Sequence, residues 1–362
     1  MSTVSEAGVL PAELISTLIE DGSILPGNGQ VAPAQIQPAS LDLTLGSKAW
    51  RVRASFLPSR QRGVADCLTD DLLMQEFSLA DGAVFERGCV YLVQLNESLR
   101  LPNTLEGYAN PKSSTGRIDV FVRLVTDHTA SFDKVCAGYS GPLYAEICPR
   151  SFSVLARQGV SLNQLRFKTG PCAVEADALN HLHGNHPLTD DPEPDFQGGL
   201  GVRVQIGGAP DEIIGYRARR HSGLIDLEEI GQLRADDFFE PITAPQSGFI
   251  ILDPDEFYIL ASREALTIPQ HLSAEMTPIS PGLGEFRVHY AGFFDPGFGI
   301  EHPSRGVLEV RSHDAPFVLR DGQLVARLVY ERMLQPPKNP YGSRVRSNYQ
   351  GQGLKLSKHF KA

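Results

Sequence analysis

The sequence lacks the features that mark membrane proteins, disulfide-rich proteins and nucleic-acid-binding proteins. No stretch of the 362 residues approaches the roughly 18 apolar residues of a membrane-spanning helix, and no basic region precedes an apolar stretch at the N-terminus. The five cysteines are scattered and form no Cys-x-x-Cys pair, which favours reduced thiols over a disulfide framework. A net charge of −10 offers no broad basic face to nucleic acid. These absences predict a cytoplasmic globular protein that binds neither membranes nor nucleic acid.

Sequence patterns of common phosphate and metal sites are also missing. There is no GxxxxGK[ST] loop and no GxGxxG turn after a strand pattern, so the phosphate-binding loops of α/β folds are not expected. His181, His183 and His186 cluster in a polar segment without a cysteine partner. We therefore predict no resident metal site.

Short apolar segments separated by turn residues make up most of the chain. The 34 glycines and 26 prolines punctuate these segments, which is typical of strands joined by tight turns. In residues 40–46, Leu41, Leu43 and Leu45 alternate with polar residues, as in a half-buried strand. Residues 11–22 instead have helical spacing and end at Gly22. The sequence predicts a mainly β protein with a short N-terminal helix.

The chain contains the same unit twice. Displaced by 167 positions, residues 91–105 align with 258–272 and superpose Glu97 on Glu264. Displaced by 163, Glu146 falls on Glu309. At the front, LDLTLG (41–46) resembles VRVQIG (202–207). Three segments in the same order predict an internal duplication.

The duplication suggests domain boundaries. We expect a first unit at 1–172, a polar linker rich in Asp and Pro at 173–199, and a second unit at 200–335. The basic, Gly-containing stretch 336–362 is predicted to be a C-terminal arm.

Only the first copy has a motif suited to a phosphate chain, Lys112-Ser113-Ser114-Thr115-Gly116-Arg117. Two hydroxyls, two cations and a glycine that permits close backbone approach fit such a ligand. Ser/Gly runs between strands are more often plain turns. However, the second copy has Ile279-Ser280-Pro281-Gly282 there, so the fold does not itself need the motif.

Two glutamates stand within apolar strand patterns, Glu146 in GPLYAEI and Glu309 in GVLEVRS. A carboxylate in such a strand is costly to bury unless it is hydrogen-bonded or functional, and either glutamate is a candidate general base. The alternative, an exposed or structural glutamate, stays open from sequence alone.

Turns precede these two strands in both copies. The second copy reads AGFFDPGF (291–298), which includes Ala291 and Asp295, and the first reads TASFD (129–133), which includes Ala130. The aromatic residues could stack on a planar base, whereas Asp-Pro-Gly is typical of turns in general.

Together these motifs resemble the dCTP deaminase branch of the dUTPase-like superfamily, in its longer tandem bacterial form. The similar segments are residues 8–24, 37–50, 97–117, 291–298, 307–309 and 340–353. The resemblance implies two β-barrel-like units, sites between neighbouring units, and a homo-oligomer. It also implies zinc-independent hydrolysis of dCTP to dUTP and ammonia in pyrimidine deoxynucleotide synthesis. The zinc deaminase signature H-x-E with P-C-x-x-C is indeed absent.

The resemblance also implies roles for single residues. The triphosphate, as its Mg²⁺ complex, would lie against Ser113, Ser114 and Arg117 with Lys112 alongside. The base would meet the hairpin residues Ala130, Ala291 and Asp295, and a glutamate would take a proton from the attacking water. Tyr341 and Gln352 match arm positions that close over the nucleotide, although Asn348 replaces the family's usual lysine. Glu146 is slightly favoured as the base because it shares a copy with the intact motif; Glu309 is the alternative.

Two other functions remain open at this point. The same superfamily includes dUTP diphosphatases, for which Asp133 or Asp295 would activate water, and bifunctional enzymes that perform both steps. A non-catalytic, nucleotide-binding regulator is the third possibility, since the second copy has lost the phosphate-type motif.

Overall fold

The computed structural model of the chain describes residues 7–27, 29–280, 286–288, 292–312, 315–343 and 351–361. The chain divides into two compact units. Unit 1 comprises residues 1–172, 223–230 and 333–338, and unit 2 comprises residues 173–222, 231–332 and 339–362.

Strands make up most of the regular structure in both units. The elements before residue 173 are β1 (Gly8–Val9), α1 (Ala12–Glu20), β2 (Ile24–Pro26), a 3-10 helix (Pro33–Gln35), β3 (Ile36–Gln37), β4 (Ser40–Val52), β5 (Leu73–Ser78), β6 (Ala83–Phe85), β7 (Val90–Arg100), β8 (Glu106–Pro111), α2 (Ser113–Gly116), β9 (Val120–Thr126), β10 (Lys134–Val135), β11 (Ser140–Pro149), β12 (Val154–Ala156) and β13 (Ser161–Thr169). The later elements are α3 (Ala176–Asn185), β14 (Leu200–Arg203), β15 (Ile213–Ala218), β16 (Ile225–Asp226), a 3-10 helix (Ala235–Asp237), β17 (Phe239–Thr243), β18 (Phe249–Leu252), β19 (Phe257–Leu266), β20 (Leu272–Pro278), β21 (Phe286–Val288), β22 (Phe293–Phe294), β23 (Ser304–Ser312), β24 (Phe317–Arg320) and β25 (Leu324–Arg332).

The sheets of the two units correspond. In unit 1 one large sheet runs β10-β8-β13-β4-β7-β11-β9, and a ribbon runs β16-β12-β6. Unit 2 has the sheets β14-β25-β20-β22 and β17-β15-β19-β23-β21, and the ribbon β18-β24. The mainly β prediction is confirmed.

The predicted N-terminal helix is α1. Its buried residue is Ile15, Pro11 precedes it, and Gly22 follows it with φ +77°, the left-handed geometry of a helix end.

Strand registers reproduce the predicted repeat. Glu146 lies opposite Leu92 in the β11/β7 ladder, and Glu309 lies opposite Ile259 in the β23/β19 ladder. These pairs are related by the offsets 163 and 167 that the sequence displays. The two glutamates therefore occupy the same position in the two units.

The front of the repeat was aligned wrongly by two residues. Leu45 N–H donates to Val160 O in unit 1, and Val204 N–H donates to Gln323 O in unit 2, at 2.9 and 3.0 Å. These contacts relate the units by an offset of 159, so Thr44 corresponds to Arg203. A strand shifted by two residues keeps every side chain on the same face, and the apolar alternation therefore fits both alignments.

The segment predicted as a linker, 173–199, belongs to unit 2 in the structure. It contains α3, and Leu179, Leu188 and Phe196 are buried in the core of this unit. Three widely spaced apolar residues in a polar segment leave too little periodicity for a sequence-based prediction.

The end of the predicted arm packs on unit 2. The N–H groups of Gln232 and Leu233 both donate to His359 O at 3.1 Å. The Phe360 ring lies 5.5 and 5.4 Å from the rings of Phe238 and Phe239.

A buried glutamate joins two strands in each unit. Glu97 on β7 accepts hydrogen bonds from Thr44 N–H (2.9 Å), Thr44 Oγ1 (2.7 Å) and Gln35 Nε2 (2.8 Å). The equivalent Glu264 on β19 accepts from the backbone N–H (3.0 Å) and Nε (2.7 Å) of Arg203. The fold thus retains the carboxylate in both copies and changes the groups that hydrogen-bond to it.

Replacing Glu97 by Gln should lower the free energy of unfolding by about 1–3 kcal/mol near pH 4.5, because the amide nitrogen cannot accept from these donors. Burial raises the pKa of Glu97. The folded chain therefore keeps the proton of the Glu97 carboxyl group at pH values above the usual carboxyl pKa. The stability that this proton contributes is lost as pH rises through the pKa of Glu97 in the folded state. The difference in free energy of unfolding between the wild type and Glu97→Gln should therefore narrow from about pH 4.5 to 7. Urea denaturation measures this difference, and the exposed Glu20→Gln variant is the control. A free-energy difference that widens over this pH range would contradict a raised pKa of Glu97 in the folded chain.

Candidate active site

The phosphate-type motif forms a tight helical turn between two strands of unit 1. In α2, the N–H groups of Thr115 and Gly116 donate to Lys112 O at 2.8 and 3.0 Å. Ser114, Thr115 and Gly116 are buried, and Arg117 is also buried directly after the turn. Buried hydroxyls and a buried guanidinium next to each other are suited to an anion.

Lys112 forms an ion pair with Asp42, which is buried on β4. In unit 2 the equivalent of Asp42 is Gly201, and the equivalent of Lys112 is Ile279. The ion pair is thus specific to unit 1, like the motif beside it. Sequence reasoning missed Asp42, because its partner is 70 residues away along the chain.

Glu146 is buried on β11 and its carboxylate contacts a guanidinium. Arg123 Nε and Nη2 donate to Glu146 Oε1 at 3.1 and 2.6 Å. The guanidinium of Arg123 also lies 3.5 Å from the Phe132 ring centroid, and Nη2 donates to Ser55 Oγ at 2.6 Å. The two hydrogen bonds from Arg123 are both accepted by the Oε1 atom of Glu146. Arg123 could have been noticed in the sequence as a lone charge in the apolar strand FVRLV.

Glu309 is equally buried on β23 of unit 2, with 2% of its surface exposed against 3% for Glu146. The neighbouring strand β21 is described as far as Val288, which pairs with Val310. Because both glutamates are buried in their sheets, the interpretation as exposed-face residues is excluded.

The turn of unit 1 that contains Ala130 differs from the expected hairpin. Ala130 is exposed, and Asp133, with φ +60°, accepts from Leu124 N–H through Oδ1 at 2.7 Å. Tyr139 donates its hydroxyl proton to Pro142 O at 2.6 Å. Burial raises the pKa of Tyr139 well above its usual value, so the phenol keeps this proton.

The Asp-Pro-Gly hairpin of unit 2 is braced by the C-terminal arm. Tyr341 N–H donates to Pro296 O at 2.8 Å, and the rings of Tyr341 and Phe298 lie 5.9 Å apart. Phe298 N–H closes the turn onto Asp295 O at 3.2 Å. Gly297 has φ +102°, and a Cβ there would lie 2.8 Å from Tyr341 O. Glycine is therefore required for the arm to approach this closely.

Gln352 is fixed at the start of the strand that carries Glu309. Arg305 N–H donates to Gln352 O at 2.9 Å, and Gln352 Nε2 donates back to Arg305 O at 3.1 Å. The structure thus attaches both predicted arm residues, Tyr341 and Gln352, to unit 2.

The predicted site residues divide between the units. Unit 1 contains Lys112, Ser113, Ser114, Arg117, Ala130 and Glu146, and unit 2 contains Asp295, Glu309, Tyr341 and Gln352. Ala291 and Asn348 lie outside the described residues.

Within the described part of the chain, no group of three or more His, Cys, Asp or Glu side chains is placed to hold a metal ion. In the histidine cluster, His183 Nδ1 accepts from Leu188 N–H at 3.1 Å. No helix among the described residues is long and apolar enough to cross a membrane.

Comparison with known families decides the relationship. Residues 6–171 match the 2′-deoxycytidine 5′-triphosphate deaminase (DCD) N-terminal domain, and residues 175–360 match the C-terminal domain of the same enzyme. The chain belongs to the dCTP deaminase family. It is similar in structure to 2′-deoxycytidine 5′-triphosphate deaminase from Agrobacterium tumefaciens, with a TM-score of 0.88, 47% identity, and coverage of 92% of this chain and 97% of that one.

Curated members of the dCTP deaminase family match over a shorter length. Proteins named "dCTP deaminase, dUMP-forming" from Methanobrevibacter smithii and Mycobacterium avium are each 33% identical, over 116 and 127 residues. The matches cover 31% and 34% of this chain, and 57% and 65% of those proteins. The chain spans about three fifths of the length of these relatives.

Replacing Gly297 by Ala should detach the arm from the hairpin, because the new Cβ would meet Tyr341 O and N at 2.8 and 2.9 Å. We expect about tenfold faster hydrogen exchange of the Tyr341 amide, equivalent to about 1.4 kcal/mol of lost protection. The control is Gly248→Ala, which has φ +69° but no atom within 4 Å of its Cβ. Unchanged exchange at Tyr341 in the Gly297 variant would show that the close approach does not hold the arm.

Proposed function

We propose that the chain hydrolyses dCTP to dUTP and ammonia. The observation that carries the proposal is the match of both halves of the chain to the two domains of one deaminase family. The similar deaminase from Agrobacterium tumefaciens, which is 47% identical and matches nearly the whole length of this chain, supports the proposal.

The reaction replaces an amino group by oxygen. Water attacks C4 of the cytosine ring and passes one proton through a carboxylate to N3, so that a tetrahedral centre with a hydroxyl and an amino group forms at C4. The hydroxyl proton then passes to the departing nitrogen, the C–N bond breaks, ammonia leaves, and C4 becomes a carbonyl. A buried carboxylate positioned as general base typically contributes about 10²–10⁴-fold to such a step.

For the triphosphate we propose the turn of unit 1. Ser113 and Ser114 supply hydroxyl groups, and Lys112 and Arg117 supply positive charge, to oxygens of a nucleotide that arrives as its Mg²⁺ complex. Asp42 would orient the Lys112 ammonium group through their ion pair. We propose further that Ala130, Ala291 and Asp295 belong to base-recognition turns, and that Tyr341 and Gln352 contact the nucleotide from the arm.

For the proton acceptor we propose Glu309 ahead of Glu146. Glu146 accepts hydrogen bonds from Arg123 and Glu309 also has interactions of its own, so the preference does not rest on hydrogen bonding. Glu309 shares unit 2 with the hairpin and with both arm residues. This preference reverses the one that the sequence alone suggests.

The names of the curated relatives, "dCTP deaminase, dUMP-forming", support dUMP as a second candidate product. In that case the chain would also release pyrophosphate from dUTP. A diphosphatase without deaminase activity and a non-catalytic regulator have no such support. We also propose a homo-oligomer and a cytoplasmic location, the latter in keeping with five cysteines that form no disulfide.

The assay is direct. With dCTP and Mg²⁺ the purified chain should release one ammonia per dCTP. Pyrophosphate released in equal amount would identify the dUMP-forming reaction, whereas its absence identifies dUTP as the product. If neither ammonia nor pyrophosphate appears from dCTP or dUTP, both enzymatic proposals fail.

The glutamate proposal predicts that Glu309→Gln lowers kcat by about 10²–10⁴-fold, because the amide cannot accept the proton. Glu146→Gln should keep kcat within about tenfold of wild type. Circular dichroism of both variants controls for folding. Full activity of Glu309→Gln together with loss in Glu146→Gln would reverse the assignment.

The phosphate proposal is tested by Ser113→Ala, since Ser280 at the equivalent position of the second copy gives a matched control. Loss of one hydrogen bond to a charged group costs about 1.5–3 kcal/mol, so KM for dCTP should rise about 10–100-fold. Ser280→Ala should leave KM unchanged. Equal effects of the two variants would argue against the unit 1 turn as the phosphate site.

A further inference from the structure

The two units each contain a short ribbon outside the larger sheets. In unit 1, β6 pairs with β12, and Val84 is opposite Leu155. In unit 2, β18 pairs with β24, and Ile251 is opposite Val318. The offsets 167 and 163 relate these pairs, so the ribbons are copies of each other.

The ribbon of unit 1 has a third strand, β16. This strand runs parallel to β12, with Ile225 opposite Val154 and Asp226 opposite Leu155. Its residue Leu227 donates its backbone N–H to Leu155 O at 3.2 Å. Ile225 and Val154 are both completely buried, so the added strand closes the apolar edge of the ribbon.

An arginine beside this edge binds the acidic side chains of the third strand. Arg157 Nη1 and Nη2 donate to the two carboxylate oxygens of Asp226 at 2.7 and 2.9 Å. Nη1 also donates to Glu228 Oε2 at 2.9 Å. This bidentate contact favours an acidic residue at position 226, directly after the buried Ile225.

The ribbon of unit 2 has the same receiving groups without a third strand. Among the described residues, β24 pairs with β18 alone. Phe317, in the position of Val154, is partly exposed, and Val318 is 41% exposed. Arg320, in the position of Arg157, lies over the Phe249 ring at 5.5 Å and meets no carboxylate within the described ranges. In the part of the chain that the structure describes, the β24 edge without a further strand, the partly exposed Phe317 and the Arg320 guanidinium without a carboxylate thus lie together.

We propose that β24 binds an extended segment of a partner protein as a parallel third strand. The segment has an apolar residue against Phe317, an acidic residue next in sequence and a second acidic residue two positions later, as in Ile225-Asp226-Leu227-Glu228. By equivalence with Leu155, the outward C=O of Val318 accepts a backbone N–H, and Arg320 binds the carboxylates. A second copy of the chain could offer its own segment only by breaking its β16/β12 pairing, which favours a different protein as the occupant.

The test uses a fluorescein-labelled peptide with the sequence of residues 223–230, GLIDLEEI, and the full chain. Fluorescence anisotropy should detect binding to the wild type and about tenfold or weaker binding to Arg320→Glu, because the reversed charge repels both carboxylates. The exposed Arg332→Glu, at the end of β25 in the same unit, controls for net charge. A peptide N-methylated at its second leucine, which cannot donate to the Val318 carbonyl, should not bind.

Three results would overturn the proposal. Binding that is lost in Arg157→Glu but kept in Arg320→Glu would show that the peptide exchanges with β16 in unit 1. No peptide binding, together with self-association in sedimentation velocity that Arg320→Glu abolishes, would make a second copy the occupant. Absence of peptide binding, together with an oligomeric state that Arg320→Glu does not change, would leave the edge without a partner of this chemistry.

Discussion

The antiparallel ladders between β7 and β11 and between β19 and β23 hold the rest of each unit in place. They set a glutamate into the interior of each unit, Glu146 opposite Leu92 and Glu309 opposite Ile259. Burial of a carboxylate is tolerated only where donors or ions surround it. The Arg123 contacts of Glu146 meet this requirement directly. The proposed chemistry of the chain therefore depends on one strand register that occurs in both units.

Duplication allowed the sequence to reveal much of this arrangement. The offsets 167 and 163 correctly identified equivalent strands, because polar landmarks such as Glu97 and Glu264 break the apolar alternation. The front segment has no such landmark, and a two-residue shift leaves its pattern unchanged. Helix α3 was missed because it belongs to a segment with few apolar residues. The motif from Lys112 to Arg117 stood out only because the second copy lacks it.

The partners of the candidate residues could not be read from the sequence. Asp42 and Lys112 are 70 residues apart, and their ion pair exists because β4 and β8 both pair with β13. Arg123 and Glu146 meet across a register that is set by the whole sheet. The sequence supplied the chemically active residue types, whereas the ladder decided which of them contact each other. The preferred proton acceptor changed because the hairpin and both arm residues belong to unit 2, together with Glu309.

Unit 1 is not continuous in the chain. Its ribbon takes a strand from residues 223–230, and Val9 on β1 bridges to Met333. During synthesis, residues 1–172 therefore emerge from the ribosome before two of the segments that complete their unit exist. The last of these segments appears only when nearly the whole chain has been made. The fold thereby ties completion of its first half to translation of its second, and a chain that stops early cannot finish either unit.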